Sequence, residues 1–177
     1  MPDSIRYRRR TSFELGGIAL NDASKGLMYQ VWTLEADGNY VRLWADEVDP
    51  IILFEDPGIR QLSLAFDQNM RKVLAFEYRT GNVELVWFDT LLGEEVSTFY
   101  SDIRSPVLTM DDKREGQSDT SDIVFAYIRN SDHQLCYRVQ RERFLDEHVI
   151  YQCNEHSRLL NMGMTNDFRF QFELRNL

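Results

Sequence analysis

The stretch Gly81-Asn82-Val83-Glu84-Leu85-Val86-Trp87-Phe88-Asp89 decides the fold, because its pattern occurs twice in the chain. A Gly-Asn pair is followed by four residues, a tryptophan, one residue and an aspartate. The same spacing returns at Gly38-Asn39-Tyr40-Val41-Arg42-Leu43-Trp44-Ala45-Asp46, an offset of 43 residues. A turn dipeptide followed by a β-prone run predicts a turn and then a strand. The chain therefore contains the same turn-and-strand unit at least twice.

The sequence around this unit repeats as well. The spacing of Ile59-Arg60, Leu64 and Asp67 returns in Ile103-Arg104, Leu108 and Asp111, at an offset of 44 residues. The segment that begins at Val73 is repeated from Ile123, at an offset of 50 residues. The extra length falls in the polar stretch 112–122, which we expect to form an inserted surface loop.

A period of 43 to 44 residues that contains about four short strands is typical of a β-propeller blade. Three full repeats fit this period, and we expect a fourth to combine residues 161–177 with an N-terminal strand near Phe13. No segment keeps a 3.6-residue period over three turns. The sequence therefore predicts one all-β domain over residues 1–177, a small propeller-like array of four-strand units. A β-sandwich built by duplication is the alternative.

Composition indicates an acidic globular protein with a basic N-terminus. The chain is 43% hydrophobic and has a net charge of -9, which argues against sequence-specific nucleic-acid binding and against anionic membranes. Four arginines and Asp3 give the first ten residues a net charge of about +3, so the rest of the chain carries about -12. We expect residues 1–12 to form an extended basic arm that docks on a neighbouring copy. A solvated terminus is the alternative.

Targeting and redox signals are few. No apolar run approaches the roughly 18 residues that a membrane helix needs, and residues 1–10 lack the hydrophobic segment of a signal peptide. We therefore expect synthesis in the cytoplasm and no membrane partner. Cys136 and Cys153 have no Cys-x-x-Cys spacing, so we predict two free thiols rather than a zinc site or a disulfide.

The types and positions of the recurring residues favour a structural role over a catalytic or binding role. Trp44 and Trp87 occupy equivalent positions, which predicts packing between repeats, although a sugar-stacking platform is an alternative. Recurring aspartates after strands usually accept hydrogen bonds from the backbone of their own turns. The aspartates with this predicted role are Asp46, Asp67, Asp89 and Asp111.

No catalytic, cofactor or metal site is predicted. The acidic loop that begins at Asp111 lacks the alternation of a calcium loop, and Lys113 and Arg114 within it would repel a cation. The three histidines share no metal-ligand spacing and have no Gly-flanked serine nearby.

The second half of the chain contains, in order, the motifs Ser105-Pro-Val-Leu-Thr-Met-Asp-Asp-Lys-Arg-Glu115, Ser121-Asp-Ile-Val-Phe-Ala-Tyr-Ile-Arg-Asn130, Leu135-Cys-Tyr-Arg-Val-Gln-Arg-Glu-Arg-Phe144, Met162-Gly-Met-Thr and Phe168-Arg-Phe-Gln-Phe. With these motifs the chain resembles a family of small structural proteins of tailed-bacteriophage virions. One departure is Ser131-Asp132-His133, which stands where the family pattern has a glycine in the hairpin.

The resemblance implies a non-enzymatic phage tail component that is located in the virion, forms a homo-oligomeric ring, and contacts tail-tube, adaptor or fibre proteins. The candidate partner contacts are the arginines Arg6, Arg8, Arg9, Arg10, Arg114, Arg141 and Arg143. Because Glu142 separates the last two, internal ion pairing is favoured there over phosphate binding.

Two other functions remain open. A carbohydrate-binding module would recognise host glycan through exposed aromatic side chains such as Trp32, Trp44 and Tyr137. A glycan hydrolase on a propeller scaffold would need two of the recurring aspartates to face one pocket.

Overall fold

A computed structural model describes residues 18–20, 31–37, 40–45, 51–54, 58–67, 71–110, 122–164 and 170–176 of the chain. Within these ranges the backbone forms β-strands, tight turns and one short 3-10 turn at Gln140–Glu142, and it contains no α-helix. The predicted all-β class is confirmed.

The strands are β1 (Ile18–Leu20), β2 (Val31–Asp37), β3 (Tyr40–Ala45), β4 (Ile51–Phe54), β5 (Ile59–Phe66), β6 (Lys72–Tyr78), β7 (Val83–Asp89), β8 (Glu94–Tyr100), β9 (Ile103–Met110), β10 (Ile123–Arg129), β11 (Gln134–Val139), β12 (His148–Gln152), β13 (Ser157–Met164) and β14 (Phe170–Asn176).

The strands form three four-stranded antiparallel sheets in chain order, β1–β4, β5–β8 and β9–β12, followed by a two-stranded sheet of β13 and β14. Trp44 lies in β3 and Trp87 in β7, so both lie in the third strand of their sheets. The repeat predicted from the Gly-Asn…Trp pattern therefore corresponds to a whole four-stranded sheet. In the third sheet this place is taken by β11, which contains Tyr137.

Tight turns connect the strands where the sequence predicts them. Gly81 closes the β6–β7 hairpin with φ +88, where its N–H donates to the Tyr78 carbonyl at 2.9 Å. A positive φ is costly for residues with a side chain, which explains the glycine. In the first sheet Asp37 pairs with Tyr40, and residues 38–39 between them lie outside the described residues.

The second strand of the third sheet, β10, is buried on both faces. Successive residues of β10 alternate between two hydrophobic cores, because side chains along a strand point to opposite faces. Phe125 and Tyr127 belong to the core shared with the second sheet, whereas Val124 and Ile128 belong to the core shared with the two-stranded sheet. A fully buried aromatic or aliphatic side chain stabilises the fold by roughly 1.5–3 kcal/mol.

Neighbouring sheets meet through their first strands. β1 packs against β5, β5 against β9, and β9 against β13. Hydrogen bonds reinforce the β5–β9 contact, since the Leu108 N–H donates to Ser63 Oγ at 2.8 Å and Gln61 Nε2 donates to the Pro106 carbonyl at 3.2 Å.

Two sequence predictions concern segments that the structure leaves undescribed. Of the segment 161–177 predicted for a fourth unit, residues 161–164 lie in β13 and residues 170–176 form β14, and the proposed strand near Phe13 lies outside the described residues. The predicted insertion at residues 112–122 falls between β9 and β10, and residues 112–121 of it are likewise outside the described residues. Cys136 and Cys153 are both free, as predicted, and both are buried.

Candidate interaction surface

Two of the seven candidate partner-contact arginines, Arg141 and Arg143, lie in the described part of the chain, and both follow β11. Arg6, Arg8, Arg9, Arg10 and Arg114 lie outside the described residues.

Arg143 connects the third sheet to the second. Its Nη2 and Nε donate to Asp89 Oδ2 at 2.5 and 3.0 Å, and Asp89 Oδ1 accepts the Leu91 N–H at 2.9 Å. Burial opposes ionisation of Asp89, but the bonds from Arg143 and from the turn amides outweigh it, so the pKa of Asp89 lies below its ordinary value. Asp89 therefore accepts bonds from its own turn, as predicted, and also braces two sheets.

Arg141 is held within the third sheet. Its backbone N–H donates to Asp122 Oδ1 at 3.0 Å, and its Nε lies 3.5 Å from Asp122 Oδ2. Glu142 contacts His148 Nε2 at 2.8 Å. Internal ion pairing of this basic segment is confirmed, but the partners are aspartates distant in sequence instead of Glu142.

Exposed leucines flank this ion-paired segment. Leu91 and Leu92 follow Asp89 and are 74% and 57% exposed, and Leu145, two residues after Arg143, is 69% exposed. Because the Asp89–Arg143 pair joins the two turns, these leucines belong to neighbouring turns. We call Leu91, Leu92, Arg141, Arg143 and Leu145 the turn surface. It combines apolar side chains with two partly exposed guanidinium groups, a composition that suits contact with another protein.

A polar network lies behind the turn surface. Glu147 accepts hydrogen bonds from Tyr127 Oη at 2.5 Å and from Arg138 Nη2 at 3.3 Å, and it also pairs with Arg129. Arg138 Nε donates to Tyr127 Oη at 2.7 Å. Burial and the bond to Glu147 both raise the pKa of Tyr127. The phenol is thus held neutral, and the network fixes the segment that follows β11.

Trp87 has the packing role predicted for it. Its side chain is buried and meets Phe144 edge to face, with ring centroids 5.2 Å apart. Its indole Nε1 is buried without a hydrogen-bond partner among the described residues. The side chain of Trp44 lies outside the description.

The recurring aspartates serve separate turns where the structure describes them. Asp67 Oδ1 accepts the Arg71 N–H at 2.9 Å, which confirms the predicted turn role, and Asp89 has its own turn and Arg143. Asp46 and Asp111 are outside the described residues.

Tyr137, a predicted sugar-stacking candidate, has its ring centroid 4.8 Å from the ring centroids of both His148 and Phe170.

A groove runs along the last sheet. It has a volume of about 650 Å³ and is lined by Asn161, Met162, Gly163 and residues 170–173. In β14, Phe170, Phe172 and Leu174 pack against the core below, while Gln171 and Glu173 are exposed. Among the described residues, β14 pairs with β13 alone.

Sequence reasoning missed the residues of the polar network and Glu77, a buried carboxylate in β6. A signal for Glu77 was available, because an acidic residue interrupts an otherwise apolar run. The partners of Glu147, by contrast, come from β10 and β11, and no repeat spacing points to them.

Within the described ranges, no three side chains of the His, Cys, Asp or Glu types are grouped to hold a metal ion. No helix there has the length and apolar character needed to cross a membrane. Comparisons with protein-family models, with curated proteins and with solved structures find no match to this chain.

Proposed function

We propose that the chain is a non-enzymatic structural subunit of a bacteriophage tail, which assembles with copies of itself and with tail-tube, adaptor or fibre proteins. The observation that carries the proposal is that charged side chains stabilise turns and join sheets. Asp67 and Asp89 are bound to turn amides, and Arg143 ties two sheets together. Charged side chains that are used in this way favour a rigid structural subunit over an enzyme.

The sheet arrangement supports a propeller-like architecture within this proposal. Each four-stranded sheet is an antiparallel meander, and the first strands of successive sheets pack side by side. In propellers the first strands of the blades lie next to each other around the axis, and each blade buries both faces. The two-sided burial of β10 fits that arrangement better than a sandwich, in which one face of each sheet is solvated.

The assignment to a phage tail depends on the sequence resemblance. Where the structure describes them, the motifs that carry it lie in β9, β10, β11 with its following turn, and β13 and β14. These strands belong to the third sheet and to the two-stranded sheet, which share one hydrophobic core. Arg141 and Arg143 of the turn surface lie near the end of the third of these motifs. The proposed location is the virion tail, after synthesis in the host cytoplasm.

The experiment that tests the proposal is gold labelling of virions with an antibody raised against the purified chain, viewed by electron microscopy. The proposal expects label confined to tails and a purified particle whose mass is a small multiple of 20.9 kDa. Antibody preabsorbed with the chain is the control. Virions without label would overturn the tail assignment, and a monomer at high concentration would overturn self-assembly.

The carbohydrate-binding alternative gains no support from Tyr137, because its ring is already engaged by His148 and Phe170. Oligosaccharide that quenched tryptophan fluorescence of the purified chain would revive it.

A further inference from the structure

We propose that neighbouring copies are joined through β8, which pairs antiparallel with β8 of a second copy about a two-fold axis at Ser97. This inference rests on the self-assembly part of the proposed function and names the contact that produces it.

β8 is the fourth strand of the second sheet, and it differs from the fourth strands of the first and third sheets. It is seven residues long, and all seven pair with β7 in one unbroken register. β4 and β12 have four and five residues, and the register of each shifts against its neighbouring strand. Short or irregular edge strands resist pairing with another chain, whereas a long regular one is a template for it.

The composition of β8 also suits pairing with another strand. Its sequence, Glu94-Glu-Val-Ser-Thr-Phe-Tyr100, contains neither proline nor lysine, which commonly protect sheet edges. Among the described residues, β8 pairs with β7 alone. One face of the strand carries Ser97 and Phe99, both exposed, and Phe99 is 65% exposed. β8 is therefore a regular strand at the outside of its sheet with an exposed aromatic side chain.

The two glutamates at the start of β8 determine the direction of pairing. In a parallel pair in register, Glu94 and Glu95 of one copy would face the same residues of the other, and like charges directly opposite each other are destabilising. In an antiparallel pair centred on Ser97, Glu95 faces Phe99 and Glu94 faces Tyr100. The carboxylates of the two copies then lie at opposite ends of the joined strands.

A two-fold axis at Ser97 also gives the most complete contact. Two copies of one strand that pair antiparallel about such an axis have one residue opposite itself. Ser97 is the middle residue of β8, so this register pairs all seven residues of each strand. It joins the second sheets of the two copies into one continuous sheet.

A second copy of the chain fits this edge because its uncharged half meets the acidic half. Ser97–Tyr100 of one strand covers Glu94–Ser97 of the other in the proposed register. The acidic half is also partly neutralised within each copy, since Lys72 Nζ lies 2.8 Å from Glu95 Oε2. The contact therefore forms between two copies without a cluster of unpaired carboxylates.

The test is disulfide cross-linking of full-length chains that carry one added cysteine each on the exposed face of β8. Ser97→Cys places its thiol opposite itself, at a Cα separation of about 4.5–5.5 Å, and a disulfide spans roughly 4.4–6.8 Å. Glu95→Cys and Phe99→Cys place thiols opposite each other, but each lies about 14 Å along the strands from its own counterpart. Native Cys136 and Cys153 are buried.

The expected result is that Ser97→Cys alone gives a covalent dimer on a non-reducing gel. A mixture of Glu95→Cys with Phe99→Cys should give one as well, while neither does so alone. Thr80→Cys, on the exposed β6–β7 hairpin, is the matched control and should give none. An assembled chain in which Ser97→Cys forms no dimer would overturn the inference. Glu95→Cys that dimerises alone as readily as the mixture would overturn it too, because the contact would then be parallel or random.

A second variant tests the contact without a cross-link. Ser97→Lys places like charges opposite each other at the axis, and we expect the particle mass measured by light scattering to fall toward the 20.9 kDa of one chain. Thr80→Lys adds the same charge away from β8 and should leave the mass unchanged. Circular dichroism checks that both variants are folded. A folded Ser97→Lys variant with an unchanged mass would overturn the inference.

These outcomes separate the two proposals. Gold-labelled tails from a chain that gives no β8 link would leave the tail function standing and refute pairing through β8. A β8 link between copies, together with unlabelled tails, would leave the pairing standing and refute the tail function.

Discussion

Glu77 of the second sheet accepts a hydrogen bond at 2.9 Å from the backbone N–H of Ser105, in the first strand of the third sheet. Its other oxygen lies 3.3 Å from Arg60 Nη1. Ser105 has φ +53 and lies next to an irregularity in the β9–β10 pairing. The buried carboxylate therefore satisfies an amide that the local distortion of β9 leaves without a ladder partner.

We expect Glu77→Ala to destabilise the protein by about 1–3 kcal/mol, because it leaves the buried Ser105 N–H unsatisfied. Urea unfolding followed by circular dichroism measures the free energy of unfolding. Glu77→Gln is the matched control, since its amide oxygen still accepts the bond, and it should lose less than the alanine variant. Equal losses in the two variants would show that the hydrogen bond to Ser105 is not the source of the lost stability.

The ionisation of Asp89 makes the free energy of unfolding depend on pH in the acid range. Its pKa in the folded protein is lowered from the ordinary value of 3.8, so its contribution is present above 3.8 and is lost as the pH falls through the lower folded value. We expect Asp89→Asn to be less stable than the original protein near neutral pH, since the charge partner of Arg143 is removed.

This deficit should shrink as the pH falls from 3.8 through the lower folded value, because the unfolded chain binds a proton at Asp89 first and the folded protein becomes neutral there only at lower pH. Urea unfolding at a series of pH values measures the difference. The pKa of Asp132 is also lowered, but Asp132 is present in both proteins and cancels in the comparison. A deficit that stays constant across the acid range would argue against the Asp89–Arg143 pair as its source.

Tyr127 provides the corresponding test at high pH. Its folded pKa is raised above the ordinary 10.0, so the stability that it contributes is complete below 10.0 and falls as the pH rises above it, where the unfolded chain ionises first. Tyr127→Phe removes the hydroxyl between Glu147 and Arg138, and we expect a loss of about 1–2 kcal/mol at neutral pH.

The difference between Tyr127→Phe and the original protein should decrease above pH 10.0, since phenylalanine has no proton to lose. Urea unfolding in alkaline buffers gives the free energies, and absorbance of the phenolate band reports ionisation directly. The pKa of Tyr100 is also raised, and this residue remains in both proteins. Complete phenolate formation near pH 10.0 in the folded original protein would contradict the predicted shift.

Local patterns predicted the fold well because each strand and turn is determined by neighbouring residues. The Gly81-Asn82 turn and the Trp87 strand follow from propensity and spacing, and the repeat follows from comparing two such segments. The turn role of Asp89 was predictable for the same reason. Its bond to Arg143 was not, since 54 positions separate the two residues and only the packing of sheets brings them together.

The site was less predictable than the fold. Arginines that looked available for partners, such as Arg143, are partly used inside the chain, and the exposed leucines beside them carry no sequence signal. The sequence does not distinguish an exposed leucine from a buried one. Two turns of different sheets become neighbours only through tertiary contacts.

His133 offers a test of backbone strain in the β10–β11 hairpin. It has φ +60, and its Nδ1 is buried without a partner in the described ranges. A left-handed conformation costs a residue with a side chain roughly 1–2 kcal/mol. The greater freedom of glycine in the unfolded chain offsets about 0.4–1 kcal/mol of that.

We therefore expect His133→Gly to stabilise the protein by about 0.5–1 kcal/mol, measured as an increase in the urea midpoint at unchanged slope. The bond from the Cys153 N–H to the His133 carbonyl is made by the backbone and survives the change. Gly81→Ala is the matched reverse variant. An added Cβ there meets nothing within 4 Å, so its expected loss of about 1 kcal/mol reports the φ of +88 alone. If Gly81→Ala loses stability while His133→Gly also loses it, the His133 side chain contributes packing that outweighs the strain.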